Sequence, residues 1–544
     1  MLKTQYFVSI VMMKNKMKTI LFLMVTALLI SCGENDEKSK NGNQVQKDHL
    51  ILAIGGEPDN GFDPTTGWGQ YGSPLFQSTL LKYDKDFNIE NNVATDYKVN
   101  EDGLKWTVKL RDSIKFSDGK PLTADDVVFT FNTAKNSASV VDLTNLQKVE
   151  KIDRLEVQFT LKKRNSTFIF HLISLGIVPE HAYDASYNEN PVGSGPYKMV
   201  QWDKGQQLIL EANPYYFGKK PYFKRLTFLF LSQDAAFAAA KSGQADVVTV
   251  SPTLADEKVN GMKLINLKSV DNRGLVLPFV PNEGETVNGN PIGNNVTSDI
   301  AIRKALNIGI DREALVDGVL KGYGTPAYSI ADHLPWWNPE TEITNDGDLD
   351  KARKILEEAG WKLQNGNIRE KDGVKAEFSL YYPANDQIRK SLSIAFADMV
   401  KPLGIQIETK GKNWNAIEME MHSSAVLFGL GSHDPLELYN TFSSKARGRG
   451  LHNVNYYAND SVDAYFEKAL QATSQEQANR YWKKAQWDGK TGFSNLGDAP
   501  WVWLVNLDHL FLIRENLVIG PQKVQPHEHS WPITDFIENW HWED

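Results

Sequence analysis

The amino-acid sequence predicts an α/β protein made of more than one domain. Strand-like and helix-like segments alternate along the whole chain, with no internal repeat of roughly 20 to 50 residues. At 544 residues the chain is too long for a single core, and about two to four domains is the expectation for that length. Cys32 is the only cysteine, so no intramolecular disulfide can form and stability must come from packed apolar interiors.

The first element is a secretion signal. An apolar run from Ile20 to Ile30 follows Lys14, Lys16 and Lys18 and ends at Ser31-Cys32. About 11 residues are too few for a stable helical span, which needs roughly 20. The Ser31-Cys32 junction resembles the lipobox of bacterial lipoproteins, which implies cleavage after residue 31 and a diacylated thiol holding the protein to a membrane. A second apolar patch, Tyr6 to Met13, does not fit an ordinary signal-peptide start, and translation from Met13 or Met17 accounts for it. Residues 32–48 are polar and read as a lipidated tether.

Past the tether, Trp106 to Arg111 alternates apolar and polar side chains, a half-exposed strand with Trp106, Val108 and Leu110 on its buried face. The turn Phe116-Ser117-Asp118-Gly119 follows, and Thr123-Ala124-Asp125-Asp126 reads as a capping box that opens a helix. Ser298-Asp299 caps a helix carrying Ile302, Leu306 and Ile310, and a second apolar helix runs from Asp311 to Gly322. Asp350 to Gly360 forms another helix. Residues 388–401 form an amphipathic one that stops near Pro402 and Gly404 and leads into the strand Ile405 to Glu408.

Net charge is −9 and the basic residues are scattered, so no nucleic-acid partner is expected. Enzyme motifs are missing too. The sequence has no Gly-x-Ser-x-Gly elbow and no His-Glu-x-x-His pair, and Gly489-Lys490-Thr491 has Lys484 where a P-loop needs glycine. No cofactor is called for. Aromatics make up 11% of the chain, with 14 tryptophans, which suits stacking surfaces in a cleft.

Several segments together resemble the family 5 extracellular solute-binding proteins, the peptide- and nickel-binding components of ABC importers. They are Lys115 to Val127, Ile177-Val178-Pro179-Glu180-His181, Pro191 to Tyr197, Ala212-Asn213-Pro214-Tyr215-Tyr216, Ile302 to Leu306 with Ile310-Asp311-Arg312, Lys351 to Trp361, and Asp434-Pro435. The resemblance implies a two-lobed periplasmic-binding-protein clamshell (type II) with an extra inserted domain in the N-terminal lobe. Domain I would take residues 49–87, 191–272 and 506–544, domain II 88–190, and domain III 273–505. It also implies an extracytoplasmic monomer that passes a small peptide or a metal chelate to an ABC permease with a cytoplasmic ATPase. A surface receptor that senses ligand without transport would look the same in sequence.

Ligand contacts are expected on aromatic and charged groups of loops facing the cleft. Gly67 to Gly72, just before a helix expected near Ser73-Pro74, offers Trp68, Gln70 and Tyr71. The stretch Phe428 to Pro435 offers Phe428, His433 and Asp434, and Trp414 joins them. The family's peptide branch carries an aspartate three residues before this Asp-Pro to pair with the peptide's ammonium, and here Gly431 stands there. Asn367 to Gly373 looks like a hairpin of the nickel binders. That branch's arginine clamp, expected near residues 173–178, is missing, and Arg273 is the candidate replacement because a guanidinium binds carboxylate bidentately. Arg273 reads equally well as an interdomain ion pair. His527 and His529, on one side of an expected strand, and His433 are weak metal-ligand candidates. Gly193 to Tyr197 reads as scaffold whose glycines adopt φ > 0. The Asn- and Gly-rich loop 281–296 is longer than the family's, with no function assigned.

Overall fold

The strand Lys105–Leu110 buries Trp106, Val108 and Leu110 and exposes or half-exposes the residues between them, as its alternation requires. The computed structural model describes residues 48–137, 141–364, 367–527 and 531–543. In it, this strand lies in a four-stranded antiparallel sheet ordered Ala94–Val99, Lys105–Leu110, Glu156–Leu161, Leu146–Asp153. The helix Ala124–Asn136 covers the sheet. Its cap is reciprocal: Thr123 accepts from backbone of the first turn while the Asp126 carboxylate accepts the Thr123 N–H at 2.8 Å.

Two larger sheets carry the rest. The seven-stranded sheet runs Met262–Leu267, His509–Arg514, Val247–Thr249, His49–Ala53, Arg225–Leu229, Gln207–Ala212, Tyr197–Asp203, with His49–Ala53 parallel to both its neighbours. The six-stranded sheet runs Gly324–Pro326, Trp501–Leu507, Asn272–Val276, Ala425–Leu430, Glu377–Pro383, Gln406–Lys412. The protein is an α/β clamshell of two lobes, and the four-stranded sheet is inserted in sequence between the first and later strands of the seven-stranded one.

The six-stranded sheet is flanked by the helices expected from sequence. Ile300–Gly309 is capped by Asp299, Arg312–Leu320 by Asp311, Leu349–Glu358 by Asp348 and Gln387–Val400 by Asp386. Their apolar faces meet the sheet in one core with Leu306, Leu315, Leu356, Phe396 and Leu504. Asn367 to Gly373 begins a tight hairpin, Arg369–Lys371 against Val374–Lys375, turned by Asp372 and Gly373 at positive φ. The 281–296 loop contains the short pair Thr286–Val287 and Asn290–Pro291. It docks on the end of the helix Trp414–Glu420, where the Gly293 N–H donates to the His422 carbonyl at 2.9 Å.

Two sequence expectations fail here. No helix starts at Ser73-Pro74: Leu75 has φ 61, which a right-handed helix forbids, and the Ser73 N–H is taken by the Asp535 carboxylate at 2.5 Å. Gly193 and Gly195 are required for close approach and not for positive φ. A Cβ on Gly193 would stand 2.1 Å from the Phe76 carbonyl oxygen, and one on Gly195 2.4 Å from that of Leu75. Because overpacking costs about 1–3 kcal/mol, Gly195→Ala should lower the stability measured by urea unfolding by at least that amount; an unchanged midpoint would show that the contact gives way.

Candidate ligand-binding site at the hinge

Among the described residues, two chain segments connect the large sheets directly. Residues 268–271 lead from Met262–Leu267 into Asn272–Val276, and Asp508 alone leads from Trp501–Leu507 into His509–Arg514. The segments are held together: the Leu507 N–H donates to the Asp271 carbonyl at 2.8 Å, and Lys268 pairs with Asp508 at 2.7 Å. A third strip, through Gln525, lies beside them. Its N–H donates to the Lys268 carbonyl and its carbonyl accepts from Val270.

Asp271 sits fully buried in this crossing. Its carboxylate accepts hydrogen bonds from Arg273 Nη1, His527 Nδ1 and, at 3.3 Å, His509 Nε2. Burial alone would raise its carboxyl, but Arg273 and the two imidazoles outweigh burial and hold it well below the usual range. Arg273 enters the six-stranded sheet next door, 8% exposed. The ion pair expected of Arg273 therefore exists, made within the crossing itself.

Beyond the strand Ala425–Leu430 the chain turns sharply at Gly431. Its φ is 146 and a Cβ there would stand 2.3 Å from the Val270 carbonyl oxygen, so the hinge strand leaves no room for any side chain, aspartate included. Two carboxyl groups follow within six residues. Glu437 accepts the Ser432 N–H at 2.9 Å and Asp434 the Leu436 N–H at 2.8 Å. Burial pushes both up to about 7, each further raised by a neighbouring carboxylate, Glu437 for Asp434 and Asp271 for Glu437. Neither forms an ion pair among the described residues. Tyr71, from the other lobe, faces them, and its hydroxyl is raised by burial and by the charges of Glu437 and Asp434. Its ring meets that of His527 edge to face at 6.3 Å.

The expected site residues thus divide. Tyr71, Asp434 and Arg273 gather at the hinge, with Gln70 half-buried beside Tyr71. Trp414, 36% exposed, lies over Arg389 and against Phe428. Trp68 and Phe428 are corrections. Trp68 is core, its indole N–H donating to the Pro74 carbonyl at 2.7 Å and its ring packed on Phe62 and Trp531. Phe428 is 4% exposed and packs on Trp501. Burial explains both, because apolar rings turn into the core unless something stacks on them, Trp68 from a turn and Phe428 from a strand buried at every residue from Ala425 to Phe428. His433 meets Phe87 edge to face, its Nε2 sealed from water without a partner, and burial holds the imidazole well below its usual range. His527 lies in a bend instead of a strand, and His529 and Cys32 fall outside the described residues. No group of three or more His, Cys, Asp or Glu is placed to hold a metal among the described residues.

Sequence reasoning missed Asp271, Glu437 and Arg389. The signal for the first was there: Asp271-Asn272-Arg273 puts opposite charges two residues apart at the start of an otherwise apolar strand.

Comparison with known proteins places this architecture. The family model described as "Bacterial extracellular solute-binding proteins, family 5 Middle" matches residues 88–450. The chain belongs to this family. Among family members it is 34% identical to Protein XP55 of Streptomyces lividans over 502 residues, covering 89% of this chain and 88% of that one. It is 29% identical to the oligopeptide-binding protein AppA of Bacillus subtilis, covering 87% and 90%. Among solved family 5 structures, NikZ from Campylobacter jejuni in complex with Ni(L-His) superposes with a TM-score of 0.77 at 25% identity, covering 91% of this chain and all of that one. AppA with a nonapeptide superposes at 0.70 and 27% identity, over 91% and 99%. Family 5 proteins are extracytoplasmic binding proteins, and no helix among the described residues is long and apolar enough to cross a membrane.

Two outcomes follow from the hinge charges. Asp271→Ala leaves Arg273 buried without its carboxylate, so a loss of about 3–5 kcal/mol is expected in denaturant unfolding; a loss under about 1 kcal/mol would mean water replaces the pair. Glu437 takes up its proton more readily folded than unfolded, so it withdraws stability as pH rises from about 4.5 to 7 and no more above. Glu437→Gln should therefore gain on the parent protein in ligand-free melting temperature between pH 5 and 8, with parallel curves contradicting this.

Proposed function

We propose that the mature chain is the substrate-binding lipoprotein of an ABC importer. It is anchored through a lipid on Cys32, works as a monomer, captures a small peptide or peptide-like solute between its lobes and delivers it to a membrane permease backed by a cytoplasmic ATPase. On this reading residues 49–87, 191–272 and 506–544 form domain I, 88–190 domain II and 273–505 domain III, and closure bends the crossings at 268–271 and 508.

The observation that carries the reading is the charge left unspent at the hinge. Asp434 and Glu437, opposite Tyr71, are ionised at neutral pH only at a cost, and a cationic group arriving in the cleft removes it. A peptide ammonium has that charge. The nonapeptide complex of AppA is in keeping with it. A metal chelate is the second reading, favoured by the fit to the Ni(L-His) complex of NikZ and by the absence of a side chain at position 431.

The test is tryptophan fluorescence and calorimetry of the soluble mature protein against mixed tetrapeptides and against nickel with histidine. A saturable response to one set is expected; no response to either overturns the capture reading. For the anchor, cells fed radiolabelled palmitate should label the parent protein and not Cys32→Ala, and equal labelling would place the lipid elsewhere.

A further inference from the structure

One serine turns all its polar groups to the opposite lobe. Ser166 lies in the segment that leads from the strand Glu156–Leu161 of the four-stranded sheet into the helix Phe168–Ser174. It is buried, and its N–H donates to the Leu470 carbonyl at 2.7 Å while its hydroxyl donates to the Ala469 carbonyl at 2.8 Å. Its own carbonyl accepts from Gln475 Nε2 at 2.9 Å. Ala469 and Leu470 end the helix Asp460–Leu470, and Gln475 opens the helix Gln475–Gln486. Both helices belong to the six-stranded sheet's side, where Phe466 and Trp482 share a core with Val426 and Trp501.

The meeting has the chemistry of a helix end. The last carbonyls of a helix lack intrahelical donors and carry the negative end of its dipole, so an N–H and an O–H presented together fit there. A tight turn presents them: the Asn165 side-chain oxygen accepts the Thr167 N–H at 3.0 Å and the Thr167 hydroxyl at 2.8 Å. Behind that turn, the four-stranded sheet is tied to the seven-stranded one. The Ser137 hydroxyl donates to the Thr65 carbonyl at 2.8 Å and the Tyr183 hydroxyl to the Asp63 carboxylate at 2.7 Å, and Phe62 and Trp68, which flank Asp63 and Thr65, are core residues of the seven-stranded sheet. Rotation at the crossings 268–271 and 508 therefore draws Ser166 away from Leu470. Two ring contacts lie on the same lobe boundary, Phe170 against Trp336 at 6.2 Å and Phe87 against His433 at 4.6 Å, both edge to face.

We propose that Ser166 is a latch that holds the two lobes together, with the inserted four-stranded sheet as its arm. Every donor and acceptor in it belongs to the chain and none is among the groups gathered at the hinge, so it forms without a solute. The inference goes beyond the capture reading and takes from it only closure about the crossings. It makes the closed form the resting state of the protein and gives the inserted sheet a task apart from ligand contact. Solute then enters through the open minority, and the rate of capture follows how often Ser166 lets go.

Pulsed dipolar spectroscopy tests this with nitroxides on Lys148→Cys in the four-stranded sheet and Arg480→Cys in the helix Gln475–Gln486, both exposed. The chain from residue 32 is used with Cys32→Ala, so that no other thiol is labelled. Without solute, the parent protein should show one short distance. Gln475→Ala, which removes one bond from the far side, should add a longer one. Ser166→Asp, which sets a carboxylate against the helix C-terminus, should make the longer distance the majority. Amide exchange of the segment 162–170 should quicken in the same order, with urea midpoints showing that each variant is folded. A parent already spread over two distances, or the same distribution in Ser166→Asp as in the parent, overturns the latch. Quicker exchange at unchanged distance overturns it too, since that is local fraying. If Ser166→Asp unfolds, Gln475→Ala, at a half-buried position, decides alone. None of these measurements needs a solute, so they judge the latch whether or not the capture reading survives its own test.

Discussion

The structure turns on one buried carboxylate. Asp271 lies where the chain leaves one sheet for the other, and its two oxygens gather Arg273 from the six-stranded sheet, His509 from the seven-stranded sheet and His527 from the C-terminal strip. A hinge of two short crossings would be a loose joint if its polar groups faced water. Here the joint is sealed and its charge is shared among buried partners from both sheets.

Around that joint the remaining charges are unevenly paired. Among the described residues the Arg389 guanidinium has no hydrogen bond beyond a long ion pair with Asp386, and Asp434 and Glu437 have no cation partner. Gly431 owes its lack of a side chain to the hinge: the turn presses on Val270 and Asp271, so the negative charge at this end comes from Glu437, six residues further on. Buried polar groups without partners destabilise a folded protein, and a site built to be completed by its ligand is where they are tolerated.

The fold was largely legible. Helix caps at Thr123, Asp299 and Asp311, and the alternation of Trp106, Val108 and Leu110, depend on neighbours a few residues away, so pattern alone places them. The site was less so. Tyr71, Arg273 and Asp434 could be singled out because loop and charged residues near a domain junction stand out in sequence, and the structure gathers them at the crossing, whereas Trp68 and Phe428 are core because an aromatic ring does not announce which way it points. Arg389 was hidden in a helix whose apolar period reads as packing, and its meeting with Arg273 joins residues 116 positions apart, a proximity made only by the six-stranded sheet.

The central claim is that the cleft captures a small peptide or peptide-like solute. Native mass spectrometry of the protein released gently from its own cell envelope tests this most directly. The account predicts a bound small peptide or amino-acid chelate, lost when the protein is unfolded. A bound solute of neither kind, such as a neutral sugar, would contradict it.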